Sequence, residues 1–159
     1  MKRLSTLLII SLVIGTTSVY AQTERGTLML GGSASFQAID DASVFIFNPN
    51  VGVFAANNFA VGLQANIISS EGNSAWALGP FARYYFGKNE KGKIFGQGTL
   101  TLAGSDGSDV SLGGGLTGGY AFFLNRSIAL EIAASYFRVD DSGLFVLGAG
   151  FQIHFKKSK

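Results

Sequence analysis

The chain has 159 residues, no cysteine, two prolines and 22 glycines, with a formal net charge of +2. That length suits a single domain, and the lack of cysteine excludes both a disulfide framework and a thiolate metal site. Without Lys2 and Arg3, which belong to the leader described next, ten basic residues face ten acidic ones, so no net basic field points to nucleic acid.

Residues 1–21 read as a cleaved secretory signal peptide. Lys2 and Arg3 form a basic start, Leu4 to Ile14 is mostly apolar, and Val19-Tyr20-Ala21 offers small residues at the −3 and −1 positions for cleavage after Ala21. The apolar stretch falls short of the roughly 20 residues that a spanning helix needs. The mature chain, 22–159, is expected to form one domain.

From Gly26 to Phe155 large apolar residues return at every second position. Phe59, Val61, Leu63, Ala65 and Ile67 interleave with Ala60, Gly62, Gln64 and Asn66. Ile128, Leu130, Ile132 and Ala134 interleave with Ala129, Glu131, Ala133 and Ser135. Period two is the signature of a strand whose side chains alternate between faces. A bulky apolar face opposite a small polar one is the pattern of a barrel that turns its apolar side to lipid.

Eight strands are expected: Thr27 to Ala38, Ser43 to Ala56, Phe59 to Ser69, Ser74 to Gly87, Ile94 to Gly104, Val110 to Leu124, Ser127 to Val139 and Leu144 to Phe155. Most match or slightly exceed the ~9–11 residues with which a tilted strand crosses a bilayer. Asn57-Asn58, Lys88 to Lys93 and Asn125-Arg126 turn the chain at one end. Ile39 to Ala42, Ser70 to Asn73, Ser105 to Asp109 and Asp140 to Gly143 turn it at the other. An even strand count brings both termini to one side.

Charge sorts with turn parity. Asp40, Asp41, Glu71, Asp106, Asp109, Asp140 and Asp141 fall on one set of turns, with Arg138 close by. Lys88, Lys91, Lys93, Arg126, Lys156, Lys157 and Lys159 fall on the other set or at the C-terminus. The acidic end reads as outward-facing and the basic end as periplasmic. Phe59, Tyr84, Phe86, Phe122 and Phe155 gather at the basic end. Phe36, Phe45, Trp76, Tyr136 and Phe145 gather at the acidic end, as two interfacial girdles would.

Three segments carry a resemblance: FNPNVGVFAANNFAVGL (Phe47 to Leu63), LGPFARYYFG (Leu78 to Gly87) and GGYAFFLNRSIALEIAASY (Gly118 to Tyr136). They resemble the outer-membrane-protein β-barrel domain family of Gram-negative bacteria, especially the Bacteroidetes, whose architecture is related to OmpX and OmpW. The likeness runs over essentially the whole mature chain. Phe151, Ile153 and Phe155 resemble the alternating aromatic signal read by the barrel insertion machinery. Lys156 to Lys159 depart from it, since the terminal aromatic usually ends the chain. The resemblance implies a fold and a place in the cell envelope rather than an activity.

Most of the inward parity is small or uncharged, including Ser33, Asn48, Asn50, Gln64, Asn66, Gln97, Thr99 and Thr117. Arg83 and Glu131 are the charged exceptions, at similar height above the basic end. A lone buried carboxylate is costly, so the two are expected to form a structural ion pair across the lumen. His154, the only histidine, raises the thought of an acyl hydrolase acting on lipid A, which would need a serine hydroxyl within about 3 Å. Pairing the last two strands about Asp140 to Gly143 places His154 nearest Ala129, far from Ser135. The glycines of GGGLTGG are read as barrel packing, because no helix follows to make a phosphate loop. Asp106-Gly-Ser-Asp109 lacks the later ligands of a calcium loop.

The expected fold is therefore all-β, an eight-stranded antiparallel up-and-down transmembrane barrel in the cell outer membrane. A narrow lumen filled by side chains points to a structural or surface-interaction role, not an open pore or an enzyme. No catalytic residue, cofactor or metal is expected. The partners expected are outer-membrane lipid and lipopolysaccharide, with the insertion machinery engaging the last strand and the barrel itself monomeric. Other readings are binding or transport of a small hydrophobic compound, as in OmpW-like barrels, and a soluble lipocalin-like barrel with its apolar face inward.

Overall fold

The alternation becomes eight strands in the computed structural model, which describes residues 23–39, 42–70, 73–105 and 109–156. They are β1 (Leu28–Ile39), β2 (Ala42–Ala56), β3 (Phe59–Ser70), β4 (Asn73–Phe86), β5 (Gly92–Ser105), β6 (Ser111–Phe123), β7 (Ile128–Val139) and β8 (Ser142–Phe155). Each pairs antiparallel with the next, and β8 returns to β1, closing the barrel. The signal-peptide reading falls on residues 1–21, outside the described residues.

Closure is tightest at the basic end. The β1–β8 seam runs from Leu28↔Phe155 to Ala34↔Ala149. The β1–β2 ladder continues up to Ile39↔Ala42. Below the seam, Lys156 donates to the Glu24 carboxylate, whose proton affinity this ammonium lowers.

Most strand ends fall within a residue of the sequence expectation. Two begin earlier. β5 starts at Gly92, paired with Phe122, because Lys93 continues the inward parity and finds polar partners there. β8 starts at Ser142, paired with Val139, so Asp140-Asp141 alone makes the turn, with Asp140 at a φ of 50°. Tightening this turn moves the β7–β8 register by two residues. Ala129 therefore faces Gln152, and the His154 amide donates to the Ser127 carbonyl at 2.6 Å. The expected placement of His154 beside Ala129 is corrected accordingly.

Both prolines lie inside strands and interrupt a ladder, since proline has no N–H to donate. The β2–β3 register skips from Phe47↔Ile67 to Asn50↔Gln64 around Pro49. The β4–β5 register skips from Leu78↔Leu102 to Phe81↔Thr99 around Pro80.

The bulky apolar parity faces outward. Leu63, Leu116 and Ile132 are 54%, 72% and 66% exposed, whereas Gln64 and Glu131 on the opposite face are 5% and 7% exposed. A lipocalin-like barrel would place Gln64, Asn66, Arg83 and Glu131 outside, yet all four are buried in the lumen. Phe59, Tyr84, Phe86, Phe122 and Phe155 ring the outer wall at the basic end, and Phe45, Trp76, Tyr136 and Phe145 do so at the other. The side chain of Phe36 lies outside the described residues. Asp109, Asp140 and Asp141 are at the acidic end, whereas Asp40, Asp41, Glu71 and Asp106 lie outside the described residues.

Glycine matters most on the inner face, where large rings need room. A Cβ at Gly62 would stand 2.6 Å from the Gly52 Cα, 2.8 Å from the Phe81 ring and against the Val51 carbonyl. A Cβ at Gly119 would meet the Phe95 ring at 2.7 Å. On the outer wall, a Cβ at Gly98 would meet nothing within 4 Å. Gly62→Ala should therefore destabilise the barrel by about 1–3 kcal/mol, the usual range for overpacking. Gly98→Ala should be neutral or slightly stabilising. Urea unfolding of the two refolded variants measures the difference, and equal midpoints would contradict this packing.

Candidate functional site

The lumen is built in layers, because inward residues of neighbouring strands meet at common heights. At the basic end the Lys93 ammonium donates to Thr23 Oγ1 at 2.8 Å and to Asn58 Oδ1 at 2.6 Å, and the Thr23 hydroxyl donates to the same Asn58 oxygen at 2.7 Å. These bonds tie the segment before β1 and the β2–β3 turn to β5.

Above them lies an aromatic layer. Met29, Phe54, Tyr85, Phe95, Phe123 and His154 are each at most 2% exposed. The His154 ring sits 5.7 Å from both Phe54 and Phe123, and neither of its nitrogens has a hydrogen-bond partner. The imidazole is packed as a ring in an apolar layer. Among the described residues no serine hydroxyl engages it, so His154 makes no contact there that would activate a serine.

The next layer holds the two charges. Arg83 on β4 and Glu131 on β7 meet across the lumen, with Nη1 2.8 Å from Oε1 and 3.0 Å from Oε2. Arg83 also donates from Nε to Gln97 Oε1 at 2.7 Å and from Nη1 to the Tyr85 hydroxyl at 3.1 Å. Tyr85 in turn donates to Glu131 Oε1 at 3.2 Å, and Gln152 Nε2 approaches Oε2 at 3.4 Å. The Phe95 ring lies 4.4 Å below the guanidinium carbon, close enough for a cation–π contact. With both ions buried and bonded on several sides, the pair can bear the cost of leaving water.

The guanidinium has donors and no acceptor, so it fixes the direction of every bond that follows. Gln97 must turn its oxygen to Arg83, leaving its nitrogen to donate to Gln64 Oε1 at 2.6 Å. Gln64 then donates from Nε2 to Asn66 Oδ1 at 3.0 Å. The relay ends at Asn66 Nδ2, which is buried without a partner. On the other side of β2, Asn48 donates to its β1 partner Ser33 at Oγ, 3.2 Å away, and its Oδ1 is likewise without a partner.

Over these two amides the lumen opens. A cavity of about 540 Å³ occupies the acidic end, walled by Ile46, Ile68, Ala77, Phe137 and Val146, with Asp109 and Asp140 also lining it. The interior is thus filled toward the basic end and not toward the acidic one. The difference follows from side-chain size, since Ala75, Ala77, Thr101, Ala103 and Ser111 supply the inward positions at that height.

Pairing Arg83 with Glu131 needed only parity and height. Tyr85 was legible by the same rule, two residues along β4 on the same face. The amide relay was not legible, because its order depends on register across β3, β4 and β5. The GGGLTGG glycines lie within β6, and no cluster of metal-ligating side chains occurs among the described residues.

No family model and no curated protein matches the sequence. Solved structures do match in fold. The N-terminal β-barrel domain of Pseudomonas aeruginosa OprF superposes with a TM-score of 0.68 at 13% identity, covering 84% of this chain and all (100%) of that one. Neisserial surface protein A superposes at 0.65 with 16% identity, covering 81% and 96%. The outer membrane protein OprG from Pseudomonas aeruginosa superposes at 0.60 with 13% identity, covering 88% and 100%. At these identities the likeness is one of fold.

Removing one partner of the ion pair leaves a buried charge uncompensated. Glu131→Leu should cost about 3–5 kcal/mol, and Arg83→Met combined with Glu131→Leu should unfold closer to the parent than either single variant. A double variant whose loss equals the sum of the singles, measured by urea unfolding, would show that the ions do not act as a pair.

Proposed function

We propose that this protein is an outer-membrane β-barrel of a Gram-negative cell envelope, with a structural or surface-interaction role and a lumen sealed toward the periplasm. The carrying observation is the outward placement of the bulky apolar parity around a closed barrel with a buried, paired interior. A continuous apolar wall is costly in water and is the expected surface in lipid. The fold shared with OprF, Neisserial surface protein A and OprG supports the same location. The acidic end faces the medium and lipopolysaccharide, and the basic end faces the periplasm. The resemblance to OmpX- and OmpW-like barrels of the Bacteroidetes belongs to this reading, as does recognition of Phe151, Ile153 and Phe155 by the insertion machinery. The barrel acts as a monomer.

The seal rests on the aromatic layer and the Arg83–Glu131 layer, which together span the narrow cross-section. The proposed role is non-enzymatic, and the packing of His154 between phenylalanine rings counts against the acyl-hydrolase reading.

Expression of the full chain, separation of the membranes on a density gradient and electrophoresis with and without boiling test this reading. The protein should travel with outer membranes and change mobility on boiling. Reconstituted in planar bilayers, it should give no large, sustained conductance. A soluble periplasmic protein with no mobility shift would overturn the location, and a steady open conductance would overturn the seal.

A further inference from the structure

We propose that the basic rim over β4 to β7 binds an anionic glycerophospholipid of the inner leaflet, with its phosphate among Lys88, Lys91 and Arg126 and its acyl chains along the exposed rings beside them. The inference deepens the reading above and rests on it for the direction in which the basic end faces.

Three observations converge. The first is charge. Among the described residues at this end, Arg25, Lys88, Lys91, Arg126 and Lys156 are exposed cations, and Glu24 and Glu90 are the carboxylates. Lys156 binds Glu24, so Glu90 is the one other carboxylate beside four cations. The opposite rim has Asp109, Asp140 and Asp141 with Arg138, so the positive excess belongs to one end. Lysines and arginines at a membrane surface draw anionic headgroups to it.

The second is arrangement. Lys88 and Lys91 stand on the β4–β5 turn and Arg126 on the β6–β7 turn. β5 and β6 are neighbours down to the Gly92↔Phe122 pair, and the Phe123 amide donates to the Lys91 carbonyl at 2.9 Å. The two turns are thereby tied together, and their three cations share one sector of the rim.

The third is depth. Phe86 precedes Lys88 by two residues and Phe122 precedes Arg126 by four, and both rings are exposed on the outer wall. At ~3.3 Å per residue the charged turns stand within about 13 Å of these rings, where a phosphate follows its chains. A Cβ at Gly92 would fall on the Tyr120 hydroxyl, so the exposed Tyr120 leans along the wall and ends in a donor at the β4–β5 turn.

A phosphodiester accepts from ammonium, guanidinium and phenol alike, while acyl chains cover the rings. A zwitterionic headgroup would bring its own ammonium among the same cations, so a net negative headgroup is selected. The patch runs straight into the apolar wall, so its occupant is a lipid rather than a soluble polyanion.

The test uses the full barrel refolded into nanodiscs, with folding of each variant checked first by its heat-dependent gel mobility. Trp76, the one tryptophan of the chain, lies in the acidic-end girdle and is the control reporter. Phe122→Trp in a Trp76→Phe background is the reporter at the patch. The probes are dibrominated phosphatidylglycerol and dibrominated phosphatidylethanolamine, which quench a tryptophan they touch. At position 122 phosphatidylglycerol should be preferred at least fivefold, with no such preference at Trp76. Lys88→Gln, Lys91→Gln and Arg126→Gln together should remove the preference, and each alone should lower it by up to about fivefold. Equal quenching of position 122 by the two lipids would overturn the proposal, as would a preference unchanged in the triple variant or equally strong at Trp76. Both leaflets of a nanodisc have the same lipids, so these outcomes do not depend on orientation. Orientation is read in cells, with Asn89→Cys and a membrane-impermeant maleimide. Labelling is expected only after the outer membrane is permeabilised. Labelling of intact cells would overturn the inner-leaflet assignment and the orientation given above, leaving the lipid preference to the nanodisc result. A chain that shows no heat-dependent mobility would instead count against the barrel reading itself.

Discussion

Closure of the hydrogen-bond ladder is the constraint on which the structure depends. A chain that turns apolar side chains outward into lipid has no water there to receive an unpaired N–H or carbonyl, so its backbone must satisfy itself. Eight antiparallel strands do this by returning β8 to β1. Once closed, the sheet has two faces, and period two assigns every residue to one of them. The outer wall can then be apolar throughout, and every polar group must be accommodated inside or at the ends.

The interior answers that demand with one strong pair rather than many weak ones. Arg83 and Glu131 neutralise each other, and the donor-only guanidinium gives the surrounding amides a single direction. The bonds run from Glu131 through Arg83, Gln97 and Gln64 to Asn66. A network ordered this way has one low-energy arrangement, which helps specify the lumen.

Much of this was legible in the sequence, for definite reasons. Strand number and sidedness follow from alternation, and the face of each residue follows from parity alone. Arg83 and Glu131 could be matched because both break a polar but uncharged inner face at comparable distances from a turn. What parity could not supply was register and volume. A four-residue last turn puts His154 beside Ala129, whereas Asp140-Asp141 turns in two. The filled lumen was expected from barrel size, but the residues near the acidic end are too small to fill it. The orphan amides lie beyond sequence reasoning, because their partners are set by contacts between three strands.

The assignment of faces is tested most directly on β7. The chain has no cysteine, so single spin labels can be placed through Leu130→Cys, Ile132→Cys and Ala133→Cys in the barrel reconstituted in lipid. Power-saturation spectroscopy with oxygen, which concentrates in the bilayer, and a water-soluble nickel chelate reports which solvent each label meets. The account predicts high oxygen and low nickel access at 130 and 132, with much lower oxygen access at 133. High nickel access at 130 and 132, or equal oxygen access at all three positions, would contradict a wall that shows its apolar parity to lipid.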